Sequence, residues 1–253
     1  MARHPYLDHD GPIAFAHRGG AHDFPENTIR AFRAAVEMGY QYIETDVHAT
    51  SDGVLVAFHD FSLDRVTDQA GKIRDTTWAN VKAAKISGTE PIPRFEDLLE
   101  ALPDTRINID VKHETAIAPL IDAIKRFDCV DRVCIGSFSG GRLDAMRGAF
   151  GSALCTSLSP REVARLRASA WGIGSLKTVA RCAQVPVRQG PLPVADAKFI
   201  AAAHKIGLDV HVWTIDEPDE MNRLFDLGVD GIMTDRLETL KGVMTERKIW
   251  PER

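Results

Sequence analysis

The chain has 253 residues, 44% of them hydrophobic and 26% charged, with a formal net charge of −5 at neutral pH. That is long enough to bury a large core, as one barrel or two small domains, without a disulfide scaffold. The mild acidity excludes a general pull toward nucleic acid or an anionic membrane surface, so an anionic substrate would have to be drawn locally, by a cation held in its site.

The start, Met1-Ala2-Arg3-His4-Pro5-Tyr6, lacks the apolar core of a secretory signal. Residues 13–16 read as a buried strand. A helix is expected over 27–38, with Asn27 or Thr28 accepting its first free N–H groups and Gly39 ending it. Residues 42–48 alternate with period two, the pattern of a strand with two distinct faces. Asp52-Gly53 then signals a hairpin into residues 54–58. Over residues 60–103 the rhythm loosens into turns with one helix near 95–101, which reads as an insertion over one face of a single domain spanning 1–253.

Strands are predicted again at 107–111, 133–137, 153–156, 182–187, 210–214 and 231–234. Helical patterns lie between them, among them 195–206 and 218–227, closed by Gly207 and Gly228. Strand–helix alternation with short connections means a parallel sheet with helices outside it, and about eight units in this length favour a closed (β/α)8 barrel. An open doubly wound sheet is the alternative, but no GxGxxG or phosphate-binding loop follows any strand. No run of about 18 apolar residues could span a membrane. The cysteines at 129, 134, 155 and 182 form no CxxC pair or finger-like spacing, which argues against structural zinc and for small buried side chains. The expectation is a cytoplasmic protein without nucleic-acid partners or stable membrane insertion. Its oligomeric state is not legible.

In a barrel the chemistry lies at the C-terminal strand ends. There the sequence collects His17-Arg18, Glu44 with Asp46, His59-Asp60, Asp110 with Lys112, Trp213-Thr214 and Thr234-Asp235. Each has an ordinary reading: a lone histidine at a strand end is usually structural, and an i, i+2 carboxylate pair is usually a solvated face. Here, however, Glu44 and Asp46 share the face of a strand whose other face carries Ile43, Thr45 and Val47. Two like charges inside a barrel cost several kcal/mol unless a cation neutralises them. A divalent metal with oxygen ligands is the least costly account, and Asp110 could complete its site. Around a phosphodiester, such a metal together with Arg18 and Lys112 would stabilise charge building on the non-bridging oxygens. The two imidazoles would move the protons, and His17 is favoured as base over His59. Glu26 could stand behind Arg18, or simply be a helix-start acid. Trp213 reads as pocket wall, while His22, His48 and His211 read as structural or surface residues. Thr234 and Asp235 read as ties between the last strand and its loop.

Taken in order, His17-Arg18-Gly19, Pro25-Glu26-Asn27-Thr28, Glu44-Thr45-Asp46-Val47, Thr50-Ser51-Asp52-Gly53, His59-Asp60, Trp213-Thr214 and residues 228–235 resemble the motifs of the glycerophosphodiester phosphodiesterase family. The resemblance implies a TIM barrel with a small inserted subdomain, here residues 60–103. It implies hydrolysis of glycerophosphodiesters to sn-glycerol 3-phosphate and an alcohol with Mg²⁺ or Ca²⁺, an activity of lipid and glycerol metabolism. It places the catalytic pair at His17 and His59 and two metal ligands at Glu44 and Asp46. The family's third ligand is commonly Glu in an E-x-K pattern. Asp110-Val111-Lys112 departs from it and is similar to the D-x-K form of the related spider-toxin phospholipase D enzymes. Two other readings keep the barrel: lysophospholipase D-like hydrolysis of lipid phosphodiesters, which calls for an apolar entry surface that the sequence does not display, and a catalytically inactive binding protein, which the intact histidines and carboxylates oppose.

Overall fold

The computed structural model describes residues 3–251. Eight parallel strands form its main sheet: β1 Ile13–His17, β2 Tyr42–Ala49, β3 Arg106–Val111, β4 Val133–Gly136, β5 Cys155–Thr156, β6 Cys182–Pro186, β7 Asp209–Trp213 and β8 Gly231–Thr234. In space they run β5-β4-β3-β2-β1-β8-β7-β6. The circle closes between β5 and β6 through one isolated parallel pair, Ser157 with Cys182, supported by Leu158 N–H donating to Cys182 O at 2.9 Å. The architecture is a TIM barrel, and strand positions follow the sequence expectation to within about two residues.

Eight helices pack outside: α1 Ile29–Glu37, α2 Phe95–Ala101, α3 Ile117–Arg126, α4 Gly140–Phe150, α5 Pro160–Ala170, α6 Ala197–Lys205, α7 Pro218–Asp226 and α8 Leu237–Glu246. A large apolar layer between strands and helices includes Ile43, Val47, Ile107, Ile109, Val210 and Val212. This layer is why the strands read as near-continuous hydrophobic runs. The barrel floor is a second cluster, where Tyr6, Phe15, Tyr42 and Met233 pack with three cysteines. All four cysteines are buried. None of the described helices is long and apolar enough to cross a membrane.

α1 starts later than expected. Thr28 alone caps it, its Oγ1 accepting from Ala31 N–H at 3.1 Å, while Asn27 turns away with φ of 57°. The Asp52-Gly53 turn forms as predicted, and residues Leu55–Ala57 fold back antiparallel on the end of β2. Between this ribbon and α2, Phe58, Leu63, Ile73, Val81, Ile86 and Ile92 bury one another in a separate small cluster. The intervening chain is mostly turns and short helices.

Candidate active site

A cavity of about 670 Å³ opens at the C-terminal ends of the strands, lined by His17, Arg18, Glu44, Asp46, His59, Asp110 and Lys112 among others. Every residue expected at the site reaches this cavity except Glu26, which stands one shell behind.

His17 ends β1. Its Nδ1 lies 2.6 Å from Asp235 Oδ1, the residue after β8, and its Nε2 lies 3.7 Å from Glu44 Oε2. A carboxylate on Nδ1 assigns the proton to that nitrogen and turns Nε2 toward the cavity. Burial pulls the His17 imidazole down, but Glu44 and Asp235 outweigh it and hold its pKa above the ordinary value. His59 repeats the device, with Nδ1 2.6 Å from Asp60 Oδ1. Arg65 clamps Asp60, Nε to Oδ2 at 2.5 Å, and also reaches Glu26 Oε1 at 2.7 Å.

The chain after His17 must turn sharply to leave the mouth clear. Arg18, Gly19 and Gly20 all have positive φ. A Cβ on Gly20 would meet Leu237 Cγ at 2.6 Å, and one on Gly19 would meet Ala31 Cβ at 2.7 Å, so both positions need glycine. The turn aims the Arg18 backbone N–H at Glu44 Oε2, 3.2 Å away. Its guanidinium lies between Glu26 (3.3 Å) and Asp46 (3.4 Å).

Glu44 and Asp46 face inward from β2 and are 4% and 2% exposed. Burial, with Asp46 beside it, pushes Glu44 up to about 7. Asp46 suffers the same burial, yet Lys112 and Arg18 draw its pKa below the ordinary carboxylate value. Asp46 and Asp110 are register partners on adjacent strands, and Lys112 Nζ joins them at 2.8 and 2.6 Å. Asp46 and Asp110 therefore share a cationic partner within the protein itself. A residue two positions past Asp110 on a neighbouring strand is spatially adjacent to both. Among the described residues, the ligand oxygens of Glu44, Asp46 and Asp110 do not all lie within 4.8 Å of one another. Glu44 has no such lysine, and Asp110 Oδ1 is buried without a hydrogen-bond partner among the described residues. An all-oxygen set in which burial raises two carboxylates, Glu44 and Asp110, and leaves one oxygen orphaned fits a hard divalent cation.

Asn27 works for the site, not for the helix. Its Nδ2 donates to Asp46 Oδ2 at 3.1 Å and its Oδ1 accepts from Thr45 Oγ1 at 2.7 Å, which fixes the face that Asp46 presents. His48, read as structural, donates from Nε2 to His59 O at 3.1 Å, and burial holds it down to about 4, neutral at physiological pH. His22 is exposed beside Asp23, and His211 is wholly buried. Trp213 lines the cavity edge-on to Phe138, with ring centroids 5.8 Å apart. Leu158, Val163 and Leu192 continue that apolar wall.

The sequence reading missed four residues here. Asp235 makes backbone ties to Asp216 and His22, and its side chain also holds His17. Asp60 was noted only as part of His59-Asp60, and its adjacency was the available signal. Asn27 is one of two expected caps, and Thr28 takes that role while Asn27 holds Asp46. Arg65, in the loosely patterned stretch, carried no signal at all. Thr234 does tie the last strand to its loop, its Oγ1 accepting from Arg236 N–H at 3.0 Å and also donating to Asp216 Oδ1 at 2.9 Å.

Residues 17–239 match the model of the glycerophosphoryl diester phosphodiesterase family. The chain is 41% identical to the Mycobacterium tuberculosis protein named Probable glycerophosphodiester phosphodiesterase 2, over 97% of this chain and 95% of that one. It is 32% identical to a glycerophosphodiester phosphodiesterase of Caldanaerobacter subterraneus subsp. tengcongensis, over 90% and 96%. Its fold matches an Oleispira antarctica phosphodiesterase solved with the product sn-glycerol-3-phosphate, with a TM-score of 0.78, 22% identity, and 93% and 97% of the two chains covered.

Proposed function

This chain belongs to the glycerophosphoryl diester phosphodiesterase family, and from that premise we propose that it hydrolyses glycerophosphodiesters to sn-glycerol 3-phosphate and an alcohol, with His17 and His59 moving the two protons. The observation that carries this reading is the paired device at the mouth: two imidazoles, each fixed at Nδ1 by an aspartate 2.6 Å away, facing one cavity. A fixed tautomer leaves each Nε2 with one task, to take a proton or to give one. His17 removes the proton from the attacking oxygen and His59 protonates the departing alkoxide, whose high pKa makes acid help necessary. In this reading the whole chain, residues 1–253, is one catalytic domain, and the 60–103 insertion contributes Arg65 to hold Asp60 and Glu26.

Glu44, Asp46 and Asp110 are the residues that would hold a divalent cation, Mg²⁺ or Ca²⁺. When bound, that cation draws charge from the non-bridging phosphate oxygens. Arg18 and Lys112 add positive charge to the same oxygens from the protein side. Arg18 presents a planar fork that an ammonium does not copy. Arg18→Lys should therefore lose kcat/KM nearly as badly as Arg18→Ala, by about 10²-fold, the usual scale for removing one preorganised donor. Wild-type kinetics in Arg18→Lys would confine Arg18 to its ion pair with Glu26.

A second reading keeps the chemistry and adds an acyl chain to the glycerol, making the reaction lysophospholipase D-like. The exposed Phe138 and Leu192 sit on the apolar side of the cavity with Trp213, an entry surface suited to the acyl chain of a lipid phosphodiester. One assay separates the two: release of the free head-group alcohol from a panel of diesters, with sn-glycerol 3-phosphate from glycerophosphoethanolamine and acylglycerol 3-phosphate from acyl-bearing lysophospholipids as the matching products. Turnover of the small polar members supports the first reading, turnover confined to acyl-bearing members supports the second, and no release from any member refutes both.

A further inference from the structure

At the opposite end of the barrel from the carboxylates, three adjacent strands bring sulfur together. Cys134 on β4, Cys155 on β5 and Cys182 on β6 are wholly buried, and their Sγ atoms all lie within 4.8 Å of one another. Cys134 and Cys155 are register partners, and Cys182 forms the isolated pair that closes the barrel. The Cys134 and Cys182 sulfurs are 3.8 Å apart.

What surrounds these sulfurs does not fit a purely apolar floor. His211 on β7 is 0% exposed, and among the described residues neither of its ring nitrogens has a hydrogen-bond partner. Its ring lies against Phe15, centroids 4.9 Å apart, and stands next to the Cys182 thiol, near enough to act on it. The Tyr6 hydroxyl is likewise buried without a partner, within the field of all three sulfurs. Arg181 Nε is a third orphan, and its charge acts on Cys155 against that of Asp209. Buried polar groups in folded proteins are almost always paired, and leaving one unpaired costs the full desolvation of that group. Three such groups around one sulfur cluster share a single explanation.

We propose that Cys134, Cys155, Cys182 and His211 bind one Zn²⁺ ion in the barrel floor, at a site distinct from the phosphodiester site. The three sulfurs stand together; His211, beside Cys182 but not within 4.8 Å of all three sulfurs, would turn inward to complete the closed four-ligand set of structural zinc, and thiolates select it over Mg²⁺ or Ca²⁺. Binding displaces three thiol protons, and the neutral imidazole contributes a lone pair. Three thiolates and a dication leave one net negative charge. The Arg181 guanidinium offsets that charge, and the Tyr6 hydroxyl donates to a coordinating sulfur, as groups behind a metal commonly do. The position suggests the role: β5 and β6 share only an isolated backbone pair, and the ion ties β4 through β7 across that seam.

The test uses the untagged full chain purified from zinc-supplemented cells. After dialysis against EDTA, which strips carboxylate-bound Mg²⁺ or Ca²⁺, about one zinc per chain should remain. Protein refolded with Co²⁺ should show thiolate-to-cobalt charge-transfer absorption. Cys155→Ala and His211→Asn should reduce retained zinc at least about tenfold, the scale at which ligand and near-ligand changes act, while Glu44→Gln should retain both metal and band. Folded wild-type protein with neither retained zinc nor a charge-transfer band overturns the proposal, and this measurement needs no variant to fold. A band that survives Cys155→Ala places the metal elsewhere and overturns it as well.

Discussion

Alanine at His17 or His59 should lower kcat by about 10²–10⁴-fold, the usual worth of a positioned proton-transfer group, with far less effect on the thermal transition. His17 is held between Asp235 at 2.6 Å and Glu44 at 3.7 Å, and His59 against Asp60 at 2.6 Å. Each loss therefore removes a whole orienting pair. The double variant should lose less, in free energy, than the sum of the two, because the residues act as one unit. Asp235→Asn keeps the shape but reverses the hydrogen-bond preference at Nδ1, and should reproduce much of the His17→Ala loss. A diester with a phenolate leaving group separates the roles, since it no longer needs the acid. Under the assignment proposed, it restores His59→Ala and leaves His17→Ala slow. Rescue of His17→Ala alone reverses the assignment, and full activity in either single variant refutes the two-histidine mechanism.

Removal of divalent metal should have a comparable effect. Glu44 is buried, carries no lysine partner and is pushed up to about 7, so near neutral pH its charge is only marginally sustained by the protein alone. Chelation should lower kcat/KM by about 10³-fold or more, since a cation on the phosphate contributes several kcal/mol at about 1.4 kcal/mol per decade. Mg²⁺ or Ca²⁺ should restore the rate. Glu44→Gln should match the chelated enzyme and resist metal rescue. Asp110→Ala should cost less, because Lys112 already neutralises that carboxylate at 2.6 Å and water can replace a missing oxygen ligand. Full turnover in a chelated sample shown by elemental analysis to be free of metal would exclude the cation from catalysis.

The sequence by itself determined the barrel, because strand and helix periodicities are local properties and eight alternations fill this length. It also determined the chemistry of the mouth where that chemistry is local: Glu44 and Asp46 share a strand face by their spacing, and His17 and His59 stand at strand ends. Tertiary structure decided everything that depends on which strand lies beside which. Asp235 meets His17 only because β8 closes against β1. Lys112 reaches Asp46 only because β2 and β3 pair with Asp46 opposite Asp110. Arg65 reaches Asp60 and Glu26 from a stretch with no periodicity to read. The clearest case is the sulfur cluster. Cys134, Cys155 and Cys182 have no metal-like spacing along the chain, which argued against zinc. Parallel strands place residues far apart in sequence within a few ångströms across the sheet, and the register that brings these three together is set by barrel closure, not by any local pattern.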